Sequence, residues 1–140
     1  MSESEVLPSV VEFTTDVSMA EAPKPLPERK YVGTVEKAIQ KYSSKGNKMG
    51  VLTFRISPDQ YPADYTEGNP DGTVLSYYRM MVEDTAASKW QVKKICEKMR
   101  VPVSRTLDMN AFIGKSALLT IKNEEYQGEL RSQIESIEQA

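Results

Sequence analysis

Runs of alternating apolar and polar residues stand on both sides of one stretch of helical period. That order, three extended runs, a helix and two more runs, is the strongest constraint on the fold. The first run, Lys30 to Tyr42, ends at the tip Ser43-Ser44-Lys45-Gly46-Asn47-Lys48, and the second continues from Met49 to Ile56, so the pair reads as a β-hairpin with a loop. In the second run Leu52, Phe54 and Ile56 share one side and Val51, Thr53 and Arg55 the other; a water-facing Arg55 sends the first set inward. Pro58, Pro62, Gly68, Pro70 and Gly72 break the chain into a long loop before a third strand, Thr73 to Val82. Strict alternation with Arg79 outside places Tyr77 and Leu75 beside it and sends Tyr78, Met80 and Val82 to the core.

The period then changes to about 3.6. Val92, Ile95, Cys96 and Met99 follow helical spacing, with Asp84 or Thr85 as the N-cap and Pro102 beyond the end. Lys89, Lys93, Lys94, Lys98 and Arg100 fall on the other side, as a second basic patch or as the wet face of the helix. Ser116 to Asn123 forms a fourth strand with Ala117, Leu119 and Ile121 inward, and Glu129 to Ile137 a fifth, joined by the turn Glu124-Glu125-Tyr126-Gln127-Gly128. This βββαββ order matches a mainly β, five-stranded oligonucleotide-binding (OB) barrel with one helix. Trp90 is expected on or near the apolar side of the helix, plugging the end of that barrel, and Cys96 as a small buried hydrophobe.

Charge is unevenly spread. The chain has 18 basic and 20 acidic residues, but residues 1–23 hold five of the acids and no base. The remainder is therefore mildly basic. Within it the signs come in blocks, basic from Arg29 to Arg55, acidic from Ile56 to Asp84 and basic again from Thr85 to Arg105. Arg29 to Arg55 carries Arg29, Lys30, Lys37, Lys41, Lys45, Lys48 and Arg55 against Glu36 alone, with Tyr31, Tyr42 and Phe54 among them. Cations release counterions from phosphates and exposed rings offer stacking platforms for bases, so this interleaving suits a single-stranded nucleic acid; an ordinary solvated hairpin carries lysines too.

Residues 1–25, acidic and containing Pro8, Pro23 and Pro25, read as a flexible tail preceding a domain at 26–140. Should the tail pack, Val10, Val11 and Phe13 are its natural anchors. No apolar run reaches the ~20 residues of a membrane span, no secretory signal is expected at Met1 to Val10, and the lone cysteine fits a reducing cytoplasm.

Leu26-Pro27 through Tyr31, Ser44-Lys45-Gly46-Asn47-Lys48-Met49, Phe112-Ile113-Gly114-Lys115 and Glu125-Tyr126-Gln127-Gly128, taken in order along the chain, resemble small phage single-stranded DNA-binding proteins. The resemblance covers roughly residues 26–140. It implies a non-enzymatic OB-fold protein that coats and protects single strands in phage replication or recombination, working with replication or recombination proteins, and a homo-oligomer is compatible with it. Lys37, Lys41, Lys45, Lys48, Arg55 and Arg79 would engage phosphates, and Tyr31, Tyr42 and Tyr77 would stack on bases, with Lys115 and Tyr126 bordering the groove from the other hairpin. Each of these tyrosines has a structural alternative as a half-buried strand residue. Bacterial members of the wider class end in an acidic tail with a terminal phenylalanine; Ile134 to Ala140 has no such tip. The acidic segment lies at the N-terminus instead, where it is expected either to contact another subunit or to screen the basic groove when DNA is absent.

Catalysis finds little to work with. Histidine is absent, Cys96 has no base partner, and no phosphate-cradling loop or zinc ligand set occurs, so no catalytic residue, cofactor or metal is expected. Asp59, Asp64 and Asp71 read as solvated loop acids without EF-hand spacing. A second class of function fits the same residues: a protein-interaction module, a phage adaptor or inhibitor, using the acidic tail and the hairpins.

Overall fold

The computed structural model describes residues 6–22 and 24–140, so the tail acids Glu3 and Glu5 lie outside the described residues. The chain forms β1 (Lys30–Tyr42), β2 (Lys48–Ile56), β3 (Thr73–Met81), α1 (Ala86–Met99), β4 (Ser116–Tyr126) and β5 (Glu129–Gln139). All five strands belong to one antiparallel sheet, ordered β3-β2-β1-β4-β5. The fold is mainly β with one helix. The sheet is open between its edge strands, which nevertheless come together: Arg79 Nη1 on β3 donates to the Glu135 carbonyl of β5 at 3.1 Å.

The inner side of β2 sets the core. Leu52, Phe54 and Ile56 are fully buried, as their alternation requires, and they meet Tyr31 and Val35 of β1, Met80 of β3 and Leu119 and Ile121 of β4. α1 lays Ile95, Cys96 and Met99 against this cluster. Its first turn is capped by Thr85 Oγ1, which accepts the Ser88 N–H at 3.2 Å. Its last turn closes on Arg100 in the left-handed region. Two polar side chains finish the strand edges. Gln91 of α1 accepts the Met81 N–H at 3.1 Å and donates to the Arg79 carbonyl at 2.7 Å. Gln60 does the same for Val32, accepting its N–H at 2.7 Å and donating to its carbonyl at 2.5 Å.

Three bulges reset the alternation. On β1, Glu36 is inserted between the pairs Val35↔Phe54 and Lys37↔Thr53, so Glu36 and Lys37 both face water. On β3, Gly50↔Met80 and Leu52↔Tyr77 leave Tyr78 and Arg79 together opposite Val51. On β5, Glu135 is the extra residue between Thr120↔Ser136 and Ile121↔Ile134, and it is the carbonyl of this residue that receives Arg79.

The β3 bulge corrects the strict-alternation reading. Tyr77 is buried and Tyr78 is 57% exposed, the reverse of the expectation, while Arg79 outside and Met80 inside stand as expected. Leu75, placed outside, is partly buried against the core. Trp90 is also corrected: it is 56% exposed and does not plug the core. At about 100° per residue Trp90 lies half a turn from Met99, so helix geometry puts it on the wet side. The described tail does not anchor through Val10, Val11 and Phe13, all of which are exposed. Packing begins at Lys24, whose N–H bonds Glu67 and whose carbonyl accepts the Tyr65 hydroxyl, and at Leu26, which is in the core.

Cys96 is buried as expected, and burial pushes its thiol from 9.0 up to about 11. Burial also raises the hydroxyls of Tyr31, Tyr65 and Tyr77. The folded protein holds these protons more tightly than the unfolded chain does, so the Cys96 contribution to stability is complete below pH 9 and is lost as the pH rises through about 11. Urea midpoints are expected to fall steadily above pH 9, less steeply in Cys96→Ala, whereas a flat profile to pH 11 would contradict a buried thiol. A second test concerns close packing. A methyl at Gly33 would stand 2.5 Å from Leu119 Cδ1 and 3.3 Å from Phe54 Cβ, so Gly33→Ala should cost about 1 to 3 kcal/mol by chemical denaturation.

Candidate nucleic-acid interface

The outer side of β1, β2 and β3 can be read row by row from the register. Thr34, Arg55 and Val74 form the lowest row, and Lys37, Thr53 and Ser76 the next. Above them come Ile39, Val51 and the bulged pair Tyr78 and Arg79, then Lys41, Met49 and Met81. Lys37 and Lys41 therefore line one flank and Arg79 the other, two strand spacings or about 10 Å away. The middle is apolar. Val51 and Met49 are buried although they point outward, and Ile39 and Tyr78 are exposed beside them. Thr53 and Ser76 join their hydroxyls at 3.0 Å below this strip.

Arg55 is held in a surface ion pair. Its Nε donates to Glu36 Oε2 at 2.8 Å, Nη2 to Glu36 Oε1 at 3.3 Å and Nη1 to the Asp71 carbonyl at 2.7 Å. The β1 bulge that turns Glu36 outward is what makes this pairing geometrically possible. Arg55 thus ties β2 to the loop before β3, and the predicted cation is neutralised in place.

Tyr31 is a second correction. It is 1% exposed, and its hydroxyl donates to the Pro27 carbonyl at 2.8 Å, so it is a core residue and not a base stacker. Tyr77 is lost to the core in the same way, and the exposed neighbour Tyr78 takes its place on the outer side. Alternation along the β1–β2 hairpin separates Tyr42 and Lys48, which face each other across the strands, from Lys41 and Met49 on the ribbon's other side. Lys45 is exposed at the tip, where Gly46 takes a positive φ and the Ser43 N–H and carbonyl bond Asn47 and Gly46. Lys48 carries no side-chain ion pair among the described residues; its N–H donates to Glu83 Oε1 at 2.5 Å.

Lys115 and Tyr126 do not share a hairpin end. Lys115 precedes β4 and is half-buried beside Val35, whose N–H it accepts at 2.8 Å, whereas Tyr126 closes the far end of β4. Register places the β4–β5 turn past the Lys30 end of β1 and the β1–β2 turn past the Tyr42 end, so the outer face lies between the two tips. Tyr126 is 55% exposed with Arg131 4.8 Å over its ring, but Glu124, Glu125 and Glu129 surround it.

Alternation alone missed Tyr78, because nothing in the residues around it marks a bulge. Helical spacing already marks the basic side of α1; what it was not used to find is that Trp90 belongs to that side, with Lys94 4.4 Å and Lys93 5.6 Å from its ring. Among the described residues no group of three or more His, Cys, Asp or Glu could hold a metal ion, and no helix is long and apolar enough to cross a membrane. If Tyr77 is core and Tyr78 surface, Tyr77→Ala should cost about 3 kcal/mol or more in urea denaturation and Tyr78→Ala under about 1. Equal costs would mean that the β3 bulge is misplaced. No protein-family model matches the chain, and a search of curated proteins finds no match.

Proposed function

We propose that this chain is a phage single-stranded DNA-binding protein whose sheet closes as an OB-type barrel, coating and protecting exposed strands during replication or recombination largely without sequence preference. The observation that carries the reading is the outer face of β1, β2 and β3. Lys37 and Lys41 on one flank and Arg79 on the other frame an exposed ring, Tyr78, over the apolar strip Ile39 and Val51. Flanking cations meet phosphates while the central ring and strip take bases. Barrel closure draws support from the strand order and from the approach of β3 to β5 through Arg79 and Glu135. No chemistry is assigned to the site, and the function proposed is binding alone.

A protein-interaction module on the same fold is the competing reading, favoured by the exposed apolar residues of the N-terminal segment. Salt separates the two, since phosphate contacts weaken steeply with ionic strength and apolar interfaces do not. Titration of labelled oligo-dT, oligo-dA and duplex at two salt concentrations should show preference for single strands and a steep salt dependence. Lys37→Glu with Lys41→Glu should weaken binding at least ~10-fold, about 1.4 kcal/mol, and Lys45→Glu with Lys48→Glu should weaken it as well. Tyr78→Ala should lose about 1 to 3 kcal/mol. Equal affinity for duplex, or binding indifferent to salt, would defeat the proposal.

A further inference from the structure

Between residues 6 and 19 the chain exposes Val6, Leu7, Val10, Val11, Phe13, Val17 and Met19, each from 55% to 88% accessible. Apolar side chains so gathered on one segment mark a contact surface. The only charges beside them are acidic, Glu12, Asp16 and Glu21 among the described residues. A 3-10 turn at Val17–Met19, capped by Asp16, gives the segment a local bend and brings no partner for these side chains.

The opposite chemistry lies beside α1. A cleft of about 850 Å³ separates the start of the helix from the loop that follows it, lined by the partly buried Val92 and Leu107, the exposed Val103 and the cations Lys89, Lys93 and Arg105. Of its acids, Asp84 is paired with Lys89 Nζ at 2.6 Å, while Glu83 accepts the Lys48 backbone N–H at 2.5 Å and keeps its charge. Lys93 and Arg105 have no ion pair among the described residues. With Lys89 paired to Asp84, Lys93 and Arg105 outweigh Glu83, and the cleft presents a net positive charge to an incoming acidic segment. In extended backbone Val11 and Phe13 share one side and Glu12 the other, so the rings and methyls meet the apolar lining while Glu12 and Asp16 meet the cations.

We infer that the N-terminal segment Val6–Met19 of one molecule docks in the α1 cleft of a second copy. Within one molecule the two are far apart. The segment is tethered at Lys24 and Leu26, near the Lys30 end of β1, while the cleft lies past the Met81 end of β3, which pairs with the other end of the hairpin. The thirteen residues of β1 alone are about 40 Å long, and the stretch from Phe13 to Lys24 spans such a distance only when fully drawn out. A second copy meets no such constraint. The contact is head to tail, each molecule giving a segment and receiving one, and it needs no nucleic acid, so it stands or falls apart from the function proposed above.

The test uses the full chain and two sets of surface variants, checked for unchanged circular dichroism. Sedimentation equilibrium without DNA should show mass rising above the monomer with concentration. Phe13→Asp, or Lys93→Glu with Arg105→Glu, should weaken association at least ~10-fold. Mixing the two variants should recover a contact, because the first keeps an intact cleft and the second an intact segment. Adding Glu12→Lys and Asp16→Lys to the cleft variant should restore self-association by reversing both charges. Trp90, the single tryptophan, neighbours Lys93, so a synthetic peptide of residues 6–22 should change its emission in the wild type and not in the cleft variant. A monomer at every concentration, association untouched by either variant, or a peptide that leaves Trp90 silent would each overturn the inference, as would docking that is independent of concentration.

Discussion

β2 is the strand against which the others are registered. Its inner residues Leu52, Phe54 and Ile56 have no solvent exposure, and a one-residue slip would put all three in water. At roughly 1.5 to 3 kcal/mol for each large side chain buried, such a slip is far costlier than any local irregularity. The neighbouring strands therefore absorb their mismatches as bulges, on β1 at Glu36 and on β3 at Tyr78 and Arg79, and leave β2 regular.

Those bulges shape the outer face. Each turns two successive side chains outward where alternation allows one, and each does so beside β2. On β1 the outcome is mixed, since Lys37 gains the surface but Glu36 arrives with it and claims Arg55. On β3 a ring and a cation emerge side by side, with Arg79 held at the seam by the Glu135 carbonyl. Cation counts along the sequence therefore overstate the positive potential of the face. Among the described residues the positive charge of this face without an acidic partner sits on the β1 flank, at the hairpin tip and at Arg79, not at Arg55.

Much of the fold was legible because it rests on periodicity. The order of elements, the inward set of β2, the cap at Thr85 and the buried Cys96 all follow from spacing and residue type. The candidate site was legible only in part. Lys37, Lys41 and Lys45 are exposed where expected, but Tyr31 and Tyr77 belong to the core and Tyr78 to the surface. Bulges obey no local residue preference strong enough to read in one sequence, since they arise from how two strands fit a third. The pairing of Arg55 was hidden for a different reason: its partners, Glu36 and the Asp71 carbonyl, come from segments whose meeting is set by tertiary structure.

The side-chain amides of Gln91 and Gln60 have a consequence for how this molecule can assemble. Each presents one donor and one acceptor to a strand backbone, as a neighbouring peptide unit would; Gln60 does so on the central strand β1 beyond the end of β2, and Gln91 on the edge strand β3, where a foreign strand would otherwise pair. Exposed strand rims invite such recruitment, which ends in runaway polymerisation. With a helix-borne glutamine standing in at Arg79 and Met81, and an arginine spanning to Glu135 beside it, the Met81 end of the β3 rim is closed to lateral zipping. Any contact between copies of this chain would then be made by side chains rather than by shared strand backbone, a kind of contact that salt and dilution can undo.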